Sequence, residues 1–184
     1  MKKLRDILKM NSINDGTRSL FESIAIPEVG AALKKWKDSS INNCVLIGGC
    51  AVSYYTKPRG TTDVDMLFLS QSDIPDNVDG FKKTRSGAFQ HNTTHVEVEI
   101  ISPEKINLSK KIVDKVFQTS HKIDGINVAS PSALVALKLH RMMRYDEGDI
   151  VGLAETGKVN LDGWFLTKEQ LEVYDNILVK NKLK

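Results

Sequence analysis

The chain has 184 residues, 41% hydrophobic and 27% charged, a balance that suits one soluble globular core, with room for a small helical appendage. No apolar stretch approaches the roughly 18 residues of a membrane-spanning helix, which excludes a partner membrane on these grounds. The formal net charge of +3 admits a phosphate-bearing or nucleic-acid partner without demanding one, and Cys44 and Cys50 match neither a zinc nor a disulfide spacing, so the expected compartment is the reducing cytoplasm.

The first ten residues, MKKLRDILKM, start basic, but Arg5, Asp6 and Lys9 interrupt any apolar run, so they do not read as a secretory signal. Residues 17–37 read as helix with a break near Ile26 and Pro27. Residues 44–48 form a short, fully apolar strand that Gly48-Gly49 ends, and a helix is expected to start there and run to Thr56. Pro58 and Gly60 keep residues 57–62 out of helix. Residues 63–69 read as the next strand, and residues 70–80 as polar loop. Lys82, Lys83 and Arg85 read as a small basic cluster on a solvated loop. Residues 94–101 alternate: Thr94, Val96, Val98 and Ile100 share one face, and His95, Glu97, Glu99 and Ile101 the other. Pro103 opens a helical stretch to about Lys115. Residues 116–130 read as a hairpin turning at Asp124-Gly125. Ser130 caps a strong helix over 131–144, with Pro131 in its first position. A second helix is expected from about Asp146 to Ala154. After a loop, Thr167 and Gln170 form the capping box of a last helix. The expectation is an α+β fold: a mixed β-sheet with flanking helices, a core over residues 1–130 and a helical C-terminal region over 131–184.

The chemistry concentrates in the stretch from Val45 to Leu69. Asp63 and Asp65 are two apart on a strand, so their side chains share a face, with Cα atoms roughly 6.5–7 Å apart. Two carboxylates so placed can converge on a hard divalent cation such as Mg²⁺ or Mn²⁺. Glu97 and Glu99, together on one face of a later strand, are the candidates for a third. Carboxylates crowded at the start of apolar strands repel one another and lose hydration, a penalty that a cation removes. Gly48 and Gly49 lack Cβ atoms where a strand becomes a helix. That position allows a tight turn and offers unpaired amides and a partial positive charge to a phosphate. A phosphate seat beside a metal seat suggests a nucleoside triphosphate bound as its Mg²⁺ complex. His91, His95, His121 and His140 show no ligand spacing. Trp36 and Trp164 are expected in the core, and the two cysteines as small buried hydrophobes.

The residues IGGCAVSYYTKPRGTTDVDMLFL resemble the signature of the nucleotidyltransferase superfamily, the DNA polymerase β-like fold. That signature is an apolar strand, Gly-Gly or Gly-Ser, ten to thirteen residues, then Asp-apolar-Asp, with a later acidic residue on another strand. The lead-in Arg59-Gly60-Thr61-Thr62 looks most like the branch of AbiEii-type toxins and small antibiotic nucleotidyltransferases. Residues 130–153 are similar to that branch's helical segment, with Lys138 on its lysine and Asp146 and Asp149 on its paired aspartates. The resemblance covers residues 44–69 and 94–153.

It implies Mg²⁺-dependent transfer of a nucleoside monophosphate from an NTP to a hydroxyl. It implies Asp63, Asp65 and Glu99 (alternatively Glu97) as metal ligands, with Glu99 and Lys138 completing the catalytic group. Nucleotide binding would fall to Gly48, Gly49, Arg59, Thr62, Lys138 and Arg141, with Lys138 neutralising phosphate charge and sharing a face with Arg141 and Tyr145. By analogy with the toxins, the acceptor would be an RNA end such as tRNA, within a toxin–antitoxin pair with a cognate protein partner. The alternatives are a small-molecule or protein acceptor, or a non-catalytic, antitoxin-like binding protein of the same fold.

Overall fold

The computed structural model of the protein describes residues 18–141 and 146–184. The opening decapeptide, Thr17 at the start of the first expected helix, and the 142–145 end of the helix that Ser130 caps, with Tyr145, lie outside the described residues.

Seven strands form one mixed sheet: β1 (Cys44–Ile47), β2 (Val64–Phe68), β3 (Phe81–Lys83), β4 (Phe89–His91), β5 (Glu97–Ile101), β6 (His121–Ile123) and β7 (Ile126–Val128). Their order across the sheet is β3-β4-β5-β2-β1-β7-β6. Strand β2 runs antiparallel to β1 and parallel to β5, while β1 runs parallel to β7. Among the described residues the helices are α1 (Pro27–Asp38), α2 (Gly48–Tyr55), α3 (Pro103–Ile106), α4 (Lys110–Thr119), α5 (Pro131–Arg141), α6 (Glu147–Glu155) and α7 (Lys168–Lys180). The α+β expectation therefore holds.

Register assigns the two sheet faces. Leu46 lies opposite Met66, Val64 opposite Val98, and Val98 opposite Phe89, so these buried side chains share one face. Helix α1 covers it: Trp36 meets Phe81 and Phe89 edge-on, with ring centroids 5.5 and 5.8 Å away. On the other face Ile47 lies opposite Asp65, and Asp65 opposite Glu99. That face carries the polar residues and looks toward α5, which packs against α2, α4, α6 and α7.

Several expected signals are realised. The Ser130 hydroxyl accepts the Ala133 N–H at 3.2 Å as the cap of α5. Thr167 and Gln170 form the full capping box of α7. Asp124 and Gly125 both take positive φ, +48° and +89°, as a tight hairpin turn between β6 and β7 requires. Trp36 and Trp164 are buried, as are both cysteines.

Other boundaries differ. Lys82 and Lys83 lie on strand β3 and not in a loop: β3 and β4 form a hairpin whose Phe81 and Phe89 are held by Trp36. Strand β5 starts three residues later than Thr94, because His95 (φ +60°) donates its N–H back to the His91 carbonyl and turns the chain. The helix after Pro103 breaks at Asn107 (φ +51°), and Val116–Thr119 belongs to α4 instead of a hairpin. The first expected helix is a 3₁₀ turn over Phe21–Ser23 followed by α1, which Pro27 opens.

Candidate functional site

Asp65 sits at the centre of a cleft of about 370 Å³ between the polar sheet face and α5. Strand β2 puts it in register with Ile47 on one side and Glu99 on the other. Burial pushes its carboxyl up to about 6, repulsion from Asp63 and then Glu99 adds to this, and Arg141 and the Gly49 N–H, which donates to it, pull the other way. Asp63 lies one residue before the strand, and its Oδ1 accepts the Thr61 hydroxyl at 3.0 Å.

The paired glycines make room for this arrangement. Gly48 has φ +64°, and a Cβ there would fall inside the Asp65 carboxylate. A Cβ at Gly49 would lie 2.5 Å from the Thr61 hydroxyl and 3.0 Å from the Arg59 guanidinium. The start of α2 is thus already approached by one carboxylate, on the Gly49 amide, and by one cation, Arg59. A phosphate at this helix end would share it with Asp65, which sharpens the simpler expectation of an open seat.

The cation side of the cleft is organised by two aspartates. Lys138 is buried, and its Nζ lies 2.9 Å from Asp146 and 2.6 Å from Asp149. Arg141 donates to both oxygens of Asp146, at 2.6 and 3.1 Å, and Arg59 pairs with Asp149 at 3.1 Å. Burial alone would raise the Asp146 carboxyl, but the bonds and charges of Arg141 and Lys138 outweigh it and hold it below the usual range. Asp146 precedes α6 but makes no capping bond, so ion pairing is its use here. Of this group Lys138 and Arg141 line the cleft across from Asp65 and Glu99, while Arg59 and Asp149 line a neighbouring pocket, and three cations against two carboxylates leave the group net positive.

Glu99 and Glu97 separate clearly. Glu99 is directly opposite Asp65 and lines the cleft, with its Oε1 3.3 Å from Lys105 Nζ. Glu97 is exposed, lies opposite Gln90, and does not line the cleft. Thr62 is exposed on the loop, whereas Thr61 is buried and reaches Asp63. Of the expected site residues, the fold gathers Gly48, Gly49, Arg59, Asp63, Asp65, Glu99, Lys138 and Arg141, and leaves out Thr62 and Glu97. The sequence reading missed Thr61 and the aliphatic far wall of the cleft, which Ile101, Ile106, Leu108, Leu134 and Leu137 form. The thiol of Cys50 beside the site is pushed up to about 12, first by burial and then by Asp65 and Asp63, so it stays protonated.

The donor set suits a hard divalent cation: it is all oxygen, and Asp65 is held against two like charges that a cation would relieve. Among the described residues, however, no three His, Cys, Asp or Glu side chains converge into a ready-made metal-holding group. No helix among the described residues is long and apolar enough to cross a membrane.

No protein-family model matches the sequence, and no curated protein matches it. Among solved structures, the fold is similar to the crystal structure of an antigenic nucleotidyltransferase-like protein from Paracoccidioides brasiliensis. The TM-score is 0.53 at 17% identity, covering 92% of this chain and 91% of that one. The chain therefore has a nucleotidyltransferase-like fold.

Proposed function

We propose that the protein is a Mg²⁺- or Mn²⁺-dependent nucleotidyltransferase that moves a nucleoside monophosphate from an NTP to a hydroxyl acceptor. The observation that carries this reading is the register of Asp65 with Glu99 inside one cleft whose opposite wall is positive. Asp63 and Asp65, with Glu99, would hold the cation, which supplies charge neutralisation at the phosphate being transferred. Arg59 over the start of α2 and Arg141 on α5 would hold the triphosphate. Glu99 would take the proton of the acceptor hydroxyl as its oxygen attacks the α-phosphorus. The bond to the bridging oxygen then breaks and pyrophosphate leaves toward the positive wall. Lys138, closed in by Asp146 and Asp149, acts through them: it fixes the two aspartates that aim Arg59 and Arg141.

The resemblance to AbiEii-type toxins favours an RNA end such as tRNA as acceptor and a cognate protein as partner. Incubation with each α-labelled NTP and Mg²⁺, with and without total tRNA or small hydroxyl compounds, tests the reading. Label transferred by the wild type and lost in Asp65→Ala is expected. No transfer to any acceptor, together with no NTP binding in the presence of Mg²⁺, would leave only a binding protein of this fold.

A further inference from the structure

Beside the cleft, the loop that leads into α7 presents an aromatic side chain to solvent. Phe165 is 54% exposed, the second most exposed of the large hydrophobic residues after Val179 among those described, while its neighbour Trp164 is 3% exposed in the core. Its backbone has φ +56°, a left-handed conformation that a bulky side chain rarely adopts. The loop is tied down to keep it there. Lys115 donates to the carbonyls of Asp162 and Gly163, at 2.9 and 2.5 Å, with its ammonium 4.9 Å from the Trp164 ring centre. Lys111 stands 5.8 Å from the Phe165 ring centre and forms no ion pair with a carboxylate among the described residues.

A single exposed phenylalanine is ordinary on a protein surface. This one differs in three ways: it is held in a strained backbone, its loop is anchored by a lysine, and two ammoniums, of Lys111 and Lys115, stand over its ring at 5.8 and 6.0 Å from the centre. An aromatic face next to an unpaired lysine is the combination that binds single-stranded nucleic acid, by stacking a base and holding its phosphate. The position is adjacent to the cleft along two elements. Ile106 and Leu108 of the cleft wall lead directly into the first turn of α4, which bears Lys111. His140 of the same wall contacts Gln170, in the first turn of α7 and five residues after Phe165.

We infer that Phe165 and Lys111 form a stacking platform for a single-stranded nucleic-acid segment whose end enters the cleft. This gives the nucleic-acid acceptor proposed above a binding surface outside the cleft, and it rests on that reading only for the catalytic consequence. Binding itself is independent of catalysis, so the two can fail separately.

The test is fluorescence anisotropy at low salt, without NTP or metal, using labelled single-stranded RNA and DNA of about 12 nucleotides. Phe165→Gly removes the ring at a position whose backbone suits glycine, so its melting temperature is expected to hold or rise. Its affinity is expected to fall by about tenfold, as loss of one stacked base implies. Lys111→Gln is expected to weaken binding several-fold and to reduce the slope of log affinity against log salt by about 0.7. Weakening of RNA or DNA binding by both substitutions supports the platform, and the tighter oligomer identifies its natural source. Unchanged affinity in both variants, or no binding by the wild type, overturns it. If label reaches tRNA equally well with wild type and Phe165→Gly, the platform falls while the transferase reading stands. If oligomers bind through Phe165 but no acceptor is ever labelled, the platform stands and the transferase reading falls.

Discussion

Asp65 and Glu99 stand directly opposite each other on the parallel strands β2 and β5, both facing the cleft. Two carboxylates so paired, with Asp63 two residues before the first, are costly without a cation, and Asp65 bears the strain with a carboxyl raised to about 6. Its folded value lies above its unfolded one, so the folded state takes up the proton more readily. The stability this contributes is full below about pH 4 and is lost as pH rises through about 6. Metal-free protein in chelator is therefore expected to lose stability between about pH 4 and 6, by up to about 3 kcal/mol. Asp65→Asn should flatten that slope, and Mg²⁺ should restore stability above pH 6 in the wild type alone. Urea midpoints measured across this range decide it; a wild type as flat as the variant would show that Asp65 is not under this load.

Glu99 and Glu97 differ in a way that kinetics can read. Glu99→Gln removes the carboxylate proposed above as proton acceptor, and a loss of roughly 10²–10⁴ in transfer rate is expected. Glu97→Gln alters an exposed residue opposite Gln90 and should leave the rate within about twofold. The reverse pattern would move the third carboxylate to Glu97 and require strand β5 to shift its register.

Much of this was legible in the sequence because it is local. The apolar strand, the glycine pair, the Asp-Val-Asp spacing, the Ser130 cap and the Thr167–Gln170 capping box each depend on residues within a few positions of one another. The β3–β4 hairpin was not legible. Its strands are three residues each, too short for alternation to register, and Trp36, 45 residues before Phe81 and 53 before Phe89, supplies the contact that fixes them. The Ser86-Gly87 turn between Lys83 and Phe89 was the available signal. The choice of Thr61 over Thr62 was equally hidden, since it depends on which hydroxyl falls beneath the missing Gly49 side chain. Lys138 read as a phosphate-neutralising cation on the cleft face of its helix, and its burial against two aspartates was not foreseen. Asp146, just before the next helix, and Asp149, within it, are the partners that allow its burial.

That burial predicts a structural phenotype for a residue otherwise expected to touch phosphate. Lys138→Met leaves two buried aspartates with Arg141 and Arg59 as their remaining cation partners among the described residues. A loss of about 3 kcal/mol in unfolding free energy is expected. Lys138→Met combined with Asp149→Asn should recover part of it, since the second change removes one of the orphaned charges. Denaturation of the four proteins in the cycle measures the coupling. An unchanged midpoint with weakened NTP binding would instead make Lys138 a direct ligand.

The glycines offer the sharpest contrast between positions of one residue type. At Gly48 the backbone is left-handed and a Cβ would occupy the place of the Asp65 carboxylate. Gly48→Ala must therefore either distort the start of α2 or expel Asp65 from the cleft. A loss of at least about 2 kcal/mol is expected, with transfer abolished in whatever fraction folds. Gly30, inside α1, has open space around its would-be Cβ and an ordinary helical backbone. Gly30→Ala is expected to stabilise by about 0.5–1 kcal/mol and leave transfer unaltered. Paired thermal melts and transfer assays on the two variants check both signs at once. A Gly48→Ala protein as stable and active as the wild type would mean that the close approach of Asp65 to α2 is dispensable, and with it the tie between the acidic group and the helix start.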